Sequence, residues 1–207
     1  MTVLVTGGAG YIGSHMVLNL ADAGEKIVVL DNLVTGFDWA IDGRAIFETG
    51  HAGDTEQVLG LIEKHAITEI IHFAGSIVVP ESVVNPLKYY GNNTATSRNL
   101  IEAAVKGGVK HFIFSSTAAV YGMTGLDPVV EETPLQPMSP YGRSKLMTEW
   151  MLADVAAAHD ITYGVLRYFN VAGADPQKRS GQSTPEATHL IKVCLLYTSD
   201  AADDLLC

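Results

Sequence analysis

Apolar residues along the chain fall in short continuous runs, separated by longer stretches with helical spacing. "TVLVT" (2–6), "KIVVLD" (26–31), "AIFETG" (45–50), "TEIIHFAG" (68–75), "KHFIFSS" (110–116) and "TYGVLRYFN" (162–170) read as strands. Between them the spacing predicts helices over Tyr11–Ala23, Thr55–His65, Glu81–Lys106 and Pro140–His159, the third as one long segment closed by Gly107 and Gly108. Strand runs that are continuous and not alternating suit parallel strands covered on both faces. Strands followed by helices and then by strands imply right-handed crossovers. The expected architecture is α/β, a Rossmann-type doubly wound parallel sheet with helices on both faces. The Pro-rich stretch from Pro128 to Pro140 reads as a loop entering the last helix, whose first turn holds Pro140.

Bulk composition narrows the function more than the fold. At 207 residues, 47% hydrophobic and 17% charged, the chain has room for one domain, or one domain and the start of another. A formal charge of −10 argues against nucleic acid as a partner, while a local site for a small phosphorylated ligand remains open. No apolar run is long enough to span a bilayer, and the chain enters "TVLVT" without a charged leader, so no membrane partner and a cytoplasmic location are expected. Both cysteines, Cys194 and Cys207, lie in the last fourteen residues; residues 1–193 therefore hold no disulfide framework and no cysteine metal site, and no metal is expected.

Chemistry enters with "VLVTGGAGYIGSHM" (3–16), where Gly7, Gly10 and Gly13 follow a strand and open a helix. Such a turn could need no ligand. The context favours a dinucleotide cradle: Gly7 for the sharp turn, Gly10 for backbone approach to a pyrophosphate, and Gly13 for close helix–strand packing. A helix N-terminus beneath the pyrophosphate supplies N–H groups and a favourable dipole. Asp31 ends the next strand eighteen residues after Gly13, placed to accept from both ribose hydroxyls of an adenosine. It would repel a 2′-phosphate, and "DNLVTG" offers no cation, so NAD is expected over NADP.

"SPYGRSKLM" (139–147) sets Tyr141 and Lys145 four apart on one helix face. A phenol titrating near about pH 10 is a poor base at neutrality, and a nearby ammonium favours its phenolate. "FIFSSTAAVYG" (112–122) places Ser115, Ser116 and Thr117 at the C-terminal edge of a strand, where open α/β sheets bind ligands. Other residues read as structural: His72 as a packed core histidine, Trp150, Met151 and Val155 as an apolar helix face, and Arg143 as solvated.

"TGGAGYIGSH", "VVLDNLVTG", "IIHFAG", "PESVVNPLKYYGNN", "FSSTAAVYG", "SPYGRSKLMTE" and "LRYFNVAGADP" together resemble the extended short-chain dehydrogenase/reductase superfamily and, within it, the NAD-dependent nucleotide-sugar epimerases, over nearly all of residues 1–192. The resemblance implies that Tyr11 and Ile12 lie along NAD, with Asp31, Asn32 and Leu33, Val34, Thr35 and Gly36 at its adenosine ribose. It sets His51 and Ala52 at the adenine, Phe73, Ala74 and Gly75 along the cofactor from a strand end, Asn92 from the long helix and Phe169 from the last strand. Tyr141 is implied as the base, Lys145 as the nicotinamide-ribose ligand that tunes it, Thr117 as a hydrogen-bonding partner of the reacting hydroxyl, and Asn170 as a contact of the sugar nucleotide.

The implied reaction is epimerisation of UDP-glucose and UDP-galactose at C4 through a 4-keto sugar, by a homodimer packed along two helices. Related 4,6-dehydratases carry an Asp-Glu pair after the strand-end hydroxyl; Ala118 and Ala119 stand there and move no protons. Two positions depart from the resemblance: His51 replaces a frequent acidic residue, with Asp54 nearby in "GHAGD", and Ser76 and Ile77 follow the "HFAG" segment where some relatives carry lysine. Residues 1–173 are expected to form the NAD-binding domain and 174–193 to begin a substrate domain that is largely missing. "CLLYTSDAADDLLC" (194–207) breaks abruptly from the pattern and is expected not to be native sequence. The chain is therefore expected to be weakly active or inactive, with an NAD-binding fragment or sensing module without turnover as one alternative and another nucleotide-sugar epimerase or dehydratase as the second.

Overall fold

The computed structural model describes residues 1–125, 128–184 and 190–194. Six strands, β1 (Thr2–Thr6), β2 (Lys26–Asp31), β3 (Ile46–Thr49), β4 (Glu69–His72), β5 (His111–Ser115) and β6 (Thr162–Leu166), form one parallel sheet in the order β3-β2-β1-β4-β5-β6. The order reverses between β1 and β4, which opens a crevice at the carboxyl ends of these two strands.

Pleating explains the continuous apolar runs. Val3 and Val5 of β1 point to one face with Val29 and Ile71, packed under Val17 and Ala21 of α1 (Tyr11–Asp22). Leu4 points to the other face with Val28, Ile70 and Phe112, packed against Val58 of α2 (Thr55–His65), Leu100 of α5 (Thr96–Lys106) and Leu152 of α6 (Pro140–Ala158). Successive apolar residues of the central strands thus serve the two faces in turn, as parallel strands require.

The long helix expected over Glu81–Lys106 is not one helix. It divides into α3 (Val79–Val84), α4 (Pro86–Tyr89), a π-helical turn over Tyr90–Ala95, and α5. Pro86 cannot donate an i→i−4 hydrogen bond, and Asn85 instead accepts from the Lys88 N–H as a new N-cap. The apolar face expected of Trp150, Met151 and Val155 is also divided: Met151 and Val155 pack on the core, while Trp150 is 57% exposed. His72 is a core residue as expected, bonded through its ring nitrogens to the Thr6 hydroxyl at 2.6 Å and the Ser97 hydroxyl at 3.0 Å. Burial drives its pKa down to about 3, so the ring is neutral.

Beyond β6, residues 173–184 cross back over α1. Among the described residues no helix is long and apolar enough to cross a membrane. Residues 195–207, most of the segment expected to be foreign, lie outside the described residues.

Candidate active site

The turn after β1 is closed by glycine at each position where a side chain would collide. Gly7 has φ of +72°, and a Cβ on it would lie 2.6 Å from the Ala74 nitrogen. On Gly13 a Cβ would lie 2.1 Å from the Gly7 carbonyl oxygen, so α1 starts directly against the turn. Gly10 differs: its backbone is extended, and its only near neighbour is the Gly7 oxygen at 3.3 Å. As the N-cap of α1 it brings no side chain to the first-turn N–H groups. That combination fits a pyrophosphate, since the approach to the helix terminus is left open by the one glycine that packing does not demand.

Asp31, buried at the end of β2, accepts from the Ala9 N–H at 3.0 Å on one carboxylate oxygen and from the Leu33 N–H at 2.9 Å on the other. The remaining lone pairs can take ribose hydroxyls, and the same bonds hold the glycine turn against the loop after β2. Leu33 sits in the left-handed region at φ +56°, Asn32 accepts from the Val34 N–H, and Gly36 packs on Ala9. Val34 and Thr35 are exposed and Ile12 is half-buried. His51 is exposed and accepts from the Gly53 N–H, whereas Ala52 is buried. Asp54, the nearby acidic residue, caps α2 through the Gln57 N–H at 3.0 Å.

Across the crevice, Phe73 leaves β4 with its N–H on the Thr6 carbonyl, followed by Ala74 and Gly75. A Cβ on Gly75 would stand 3.0 Å from Asn93 Oδ1 and 3.5 Å from Lys145 Nζ, so this strand end, the π-helical turn and α6 converge there. Asn93, absent from the sequence reasoning, is the tie. Its Oδ1 accepts from the Ser76 N–H at 2.7 Å, and its Nδ2 donates to the Ser76 carbonyl and the Ser144 hydroxyl, each at 3.0 Å. Ser144 in turn donates to the Tyr141 carbonyl at 2.7 Å. The expected Asn92 donates to the Ser76 hydroxyl at 2.8 Å, which gives Ser76 a structural use at a position of departure from the resemblance.

Tyr141 lies in the first turn of α6, whose N-cap Ser139 accepts from the Gly142 N–H. Its ring meets the fully buried Tyr89 edge-on at 6.3 Å between centroids. Burial raises the Tyr141 pKa, a hydrogen bond with Thr117 opposes the rise, and the neighbouring Tyr168 adds to it. Lys145, 2% exposed, donates to the Ser115 carbonyl at 2.9 Å and lies over the Phe114 ring at 4.9 Å. Burial lowers its pKa to about 8. The sequence-based expectation that its ammonium lowers the Tyr141 pKa is not met in the chain alone, because the amine is engaged by the strand and desolvation outweighs other influences on both groups.

A second set of groups missed in the sequence supports this strand end. Glu149, one helical turn beyond Lys145, accepts from the Ser116 hydroxyl and from Arg167, whose Nη2 lies at 2.7 Å. Arg167 also donates to the Tyr121 hydroxyl at 2.9 Å and the Glu131 carbonyl at 3.2 Å. The Tyr168 and Ser115 hydroxyls are bonded to each other. The spacing of 141, 145 and 149 was available as a signal, since it marks one stripe of a helix. Phe169 and Asn170 are a different matter: β6 ends at Leu166, so Phe169 is not on the last strand, and both residues are exposed. Among the described residues no group of three His, Cys, Asp or Glu side chains is placed to hold a metal ion.

Residues 3–196 match the NAD dependent epimerase/dehydratase family. The chain belongs to this family. Among the curated epimerase/dehydratase relatives, a UDP-glucose 4-epimerase of Azospirillum brasilense is 54% identical over 191 residues, which are 92% of this chain and 55% of that protein. A UDP-glucose 4-epimerase of Lactobacillus helveticus is 46% identical over 92% of this chain and 58% of its own length. The fold agrees with solved family members: a UDP-glucose 4-epimerase superposes with a TM-score of 0.92 at 42% identity, covering 94% of this chain and 59% of that one. A UDP-glucose 4-epimerase from Brucella ovis in complex with NAD gives 0.89 at 43% identity, covering 92% and 58%. The chain thus spans between half and two thirds of the length of these relatives.

Proposed function

We propose that this chain is the NAD-binding and proton-transferring part of a UDP-sugar 4-epimerase that interconverts UDP-glucose and UDP-galactose through a 4-keto sugar. One observation carries the reading: Tyr141, whose titration the Thr117 hydroxyl influences, shares one face of α6 with Lys145, which is buried and donates to the Ser115 carbonyl beside Gly75. Relatives named UDP-glucose 4-epimerase at 54% and 46% identity support the substrate class.

The residues divide the work by position. Gly10 and the first turn of α1 hold the pyrophosphate, Asp31 the adenosine ribose, and Phe73 to Gly75 with Asn92 line the nicotinamide half. NAD, when bound, supplies a hydride acceptor that becomes the donor, so the reaction needs no net oxidant. Tyr141 takes the C4 hydroxyl proton and returns it, Thr117 orients that hydroxyl, and Lys145 binds the nicotinamide ribose and stabilises the phenolate form. Ala118 and Ala119, in the short turn after Thr117, offer no acid–base pair for dehydration.

Residues 1–173 form the NAD-binding unit in this reading, and 174–193 begin the part that closes over the UDP-sugar. Exposed Phe169 faces NAD and exposed Asn170 the sugar nucleotide in this reading. The chain spans 55% and 59% of the length of two such relatives, and remote substrate contacts act on turnover as well as affinity, so weak or no conversion is expected of these 207 residues by themselves. A homodimer along α5 and α6, consistent with exposed Trp150, and a cytoplasmic location complete the proposal.

The test is chromatographic detection of UDP-glucose formed from UDP-galactose with NAD, in the chain and in Tyr141→Phe. Conversion, at whatever rate the chain shows, depends on Tyr141; conversion undiminished in Tyr141→Phe contradicts the assignment.

A further inference from the structure

The segment beyond β6 returns to the glycine turn and is fastened there. Tyr11 donates to the Gly173 carbonyl at 2.6 Å, and the buried hydroxyls of Ser14 and Ser180 lie 2.7 Å apart. Arg179 reaches both carboxylate oxygens of Asp22 near the end of α1, at 3.0 and 2.9 Å. The same guanidinium grips Asp175 at 2.9 and 2.8 Å. A tight turn aims it: the Asp175 N–H donates to the Ser180 carbonyl, the Lys178 N–H donates to the Asp175 carbonyl, and Lys178 adopts φ +62°. Asp22 is also bonded to Arg44 at 2.8 Å, which couples the clasp to the loop after β2. Arg179 holds the Asp175 carboxyl well below the usual carboxylate range and lowers that of Asp22.

Past the clasp, Gln182 and Thr184 face Gly10, Tyr11, Thr35 and Phe37 across an open cleft. Lys192 donates to the carbonyls of Gln182 and Thr184, at 3.3 and 2.6 Å. The cleft is bounded on one side by the residues assigned above to the pyrophosphate and ribose, and on the other by a segment held mainly by charge.

We propose that residues 173–184 are a strap that retains a dinucleotide on the glycine turn, with Arg179 and Asp22 as its clasp. The proposal rests on the NAD-binding reading above. A ligand seated at Gly10 leaves when the strap lifts, which requires the guanidinium to give up both carboxylate oxygens of Asp22 while it keeps Asp175, which moves with it. Each exposed ion pair alone contributes little and is screened by salt, so the strap governs the rate of release and weakens as ionic strength rises.

The experiment measures NAD release from the chain by displacement, for wild type, Arg179→Lys and Arg179→Ala, at low and high sodium chloride. Arg179→Ala is expected to release NAD about two- to fivefold faster, the change appearing in the off-rate, with Arg179→Lys between. Wild-type release accelerates with salt towards the variant's rate, and the variant shows little salt dependence. Equal release rates in wild type and a folded Arg179→Ala overturn the strap while leaving the NAD reading standing. Absence of NAD binding by folded wild type defeats the NAD reading and the strap with it. Trypsin cleavage after Lys178 and Arg179 of the wild-type chain gives a second readout independent of any variant's stability: strong slowing by NAD supports the strap, and unchanged cleavage at saturating NAD overturns it.

Discussion

Lys145 donates to the backbone carbonyl of Ser115 at 2.9 Å, from a side chain that is 2% exposed. A buried ammonium on a strand end is an uneasy arrangement in the chain alone, since one carbonyl and one ring face replace a full hydration shell. The cost has a purpose if the amine is to meet a cofactor ribose and a phenolate in the same crevice.

The pH dependence of stability follows from that burial. Burial pulls the pKa of Lys145 down to about 8 in the fold, from 10.5 for the free side chain, so its neutral form is favoured by the fold. Its contribution is present above the unfolded pKa and is lost as pH falls towards about 8. Lys145→Met is therefore expected to melt at or above the wild-type temperature at pH 7, with the difference shrinking between pH 8 and 10.5. Thermal melts across that range check it; a variant much less stable than wild type at pH 7 contradicts the ledger of Lys145.

His72 gives the acid counterpart. With a folded pKa of about 3 against 6.5 for the free side chain, the ring stabilises the fold fully above 6.5 and loses that contribution as pH falls towards 3. His72→Gln is expected to cost about 1–3 kcal/mol at pH 7, from disturbed packing and bonds to Thr6 and Ser97, and to flatten the acid limb of the stability curve. Urea denaturation at pH 7 and pH 4.5 measures both effects.

Glu149 and Arg167 are expected to behave as a pair. Arg167→Met leaves Glu149 buried without its partner, a loss of about 3–5 kcal/mol, whereas Glu149→Leu with Arg167→Met restores part of it. A double-mutant cycle in urea reads the coupling, and additive losses would rule it out.

Gly13→Ala is expected to fail where Gly10→Ala does not. The first places a Cβ 2.1 Å from the Gly7 carbonyl oxygen, the second 3.3 Å from it on an extended backbone. Circular dichroism melts of the two variants show the difference as a marked loss of stability in Gly13→Ala alone.

The order of elements and the glycine turn were legible because each depends on local rules. The β1 run, the three glycines and Asp31 follow one another as a Rossmann unit demands. Helix α6 was legible by its capped start, but Tyr141, Ser144, Lys145, Thr148 and Glu149 are buried beside Leu146 and Leu152, so hydrophobic spacing marks only part of the buried face. Asn93 was hidden for another reason: its role depends on the π-helical turn that shifts it towards Ser76, a change of register with no sequence period of its own. Arg167 likewise takes its meaning from contacts with Glu149 and Tyr121, distant in sequence. The exposed state of Phe169 was missed because an apolar run was read past the end of β6.

The most direct test of the account is calorimetric titration of NAD into the purified chain and into Gly10→Val. The valine can adopt the extended backbone of Gly10 yet fills the approach to the first turn of α1, so the account predicts NAD binding by wild type and none by a variant that remains folded. Equal binding by both, or no binding by a folded wild-type chain, would contradict the glycine turn as a dinucleotide cradle.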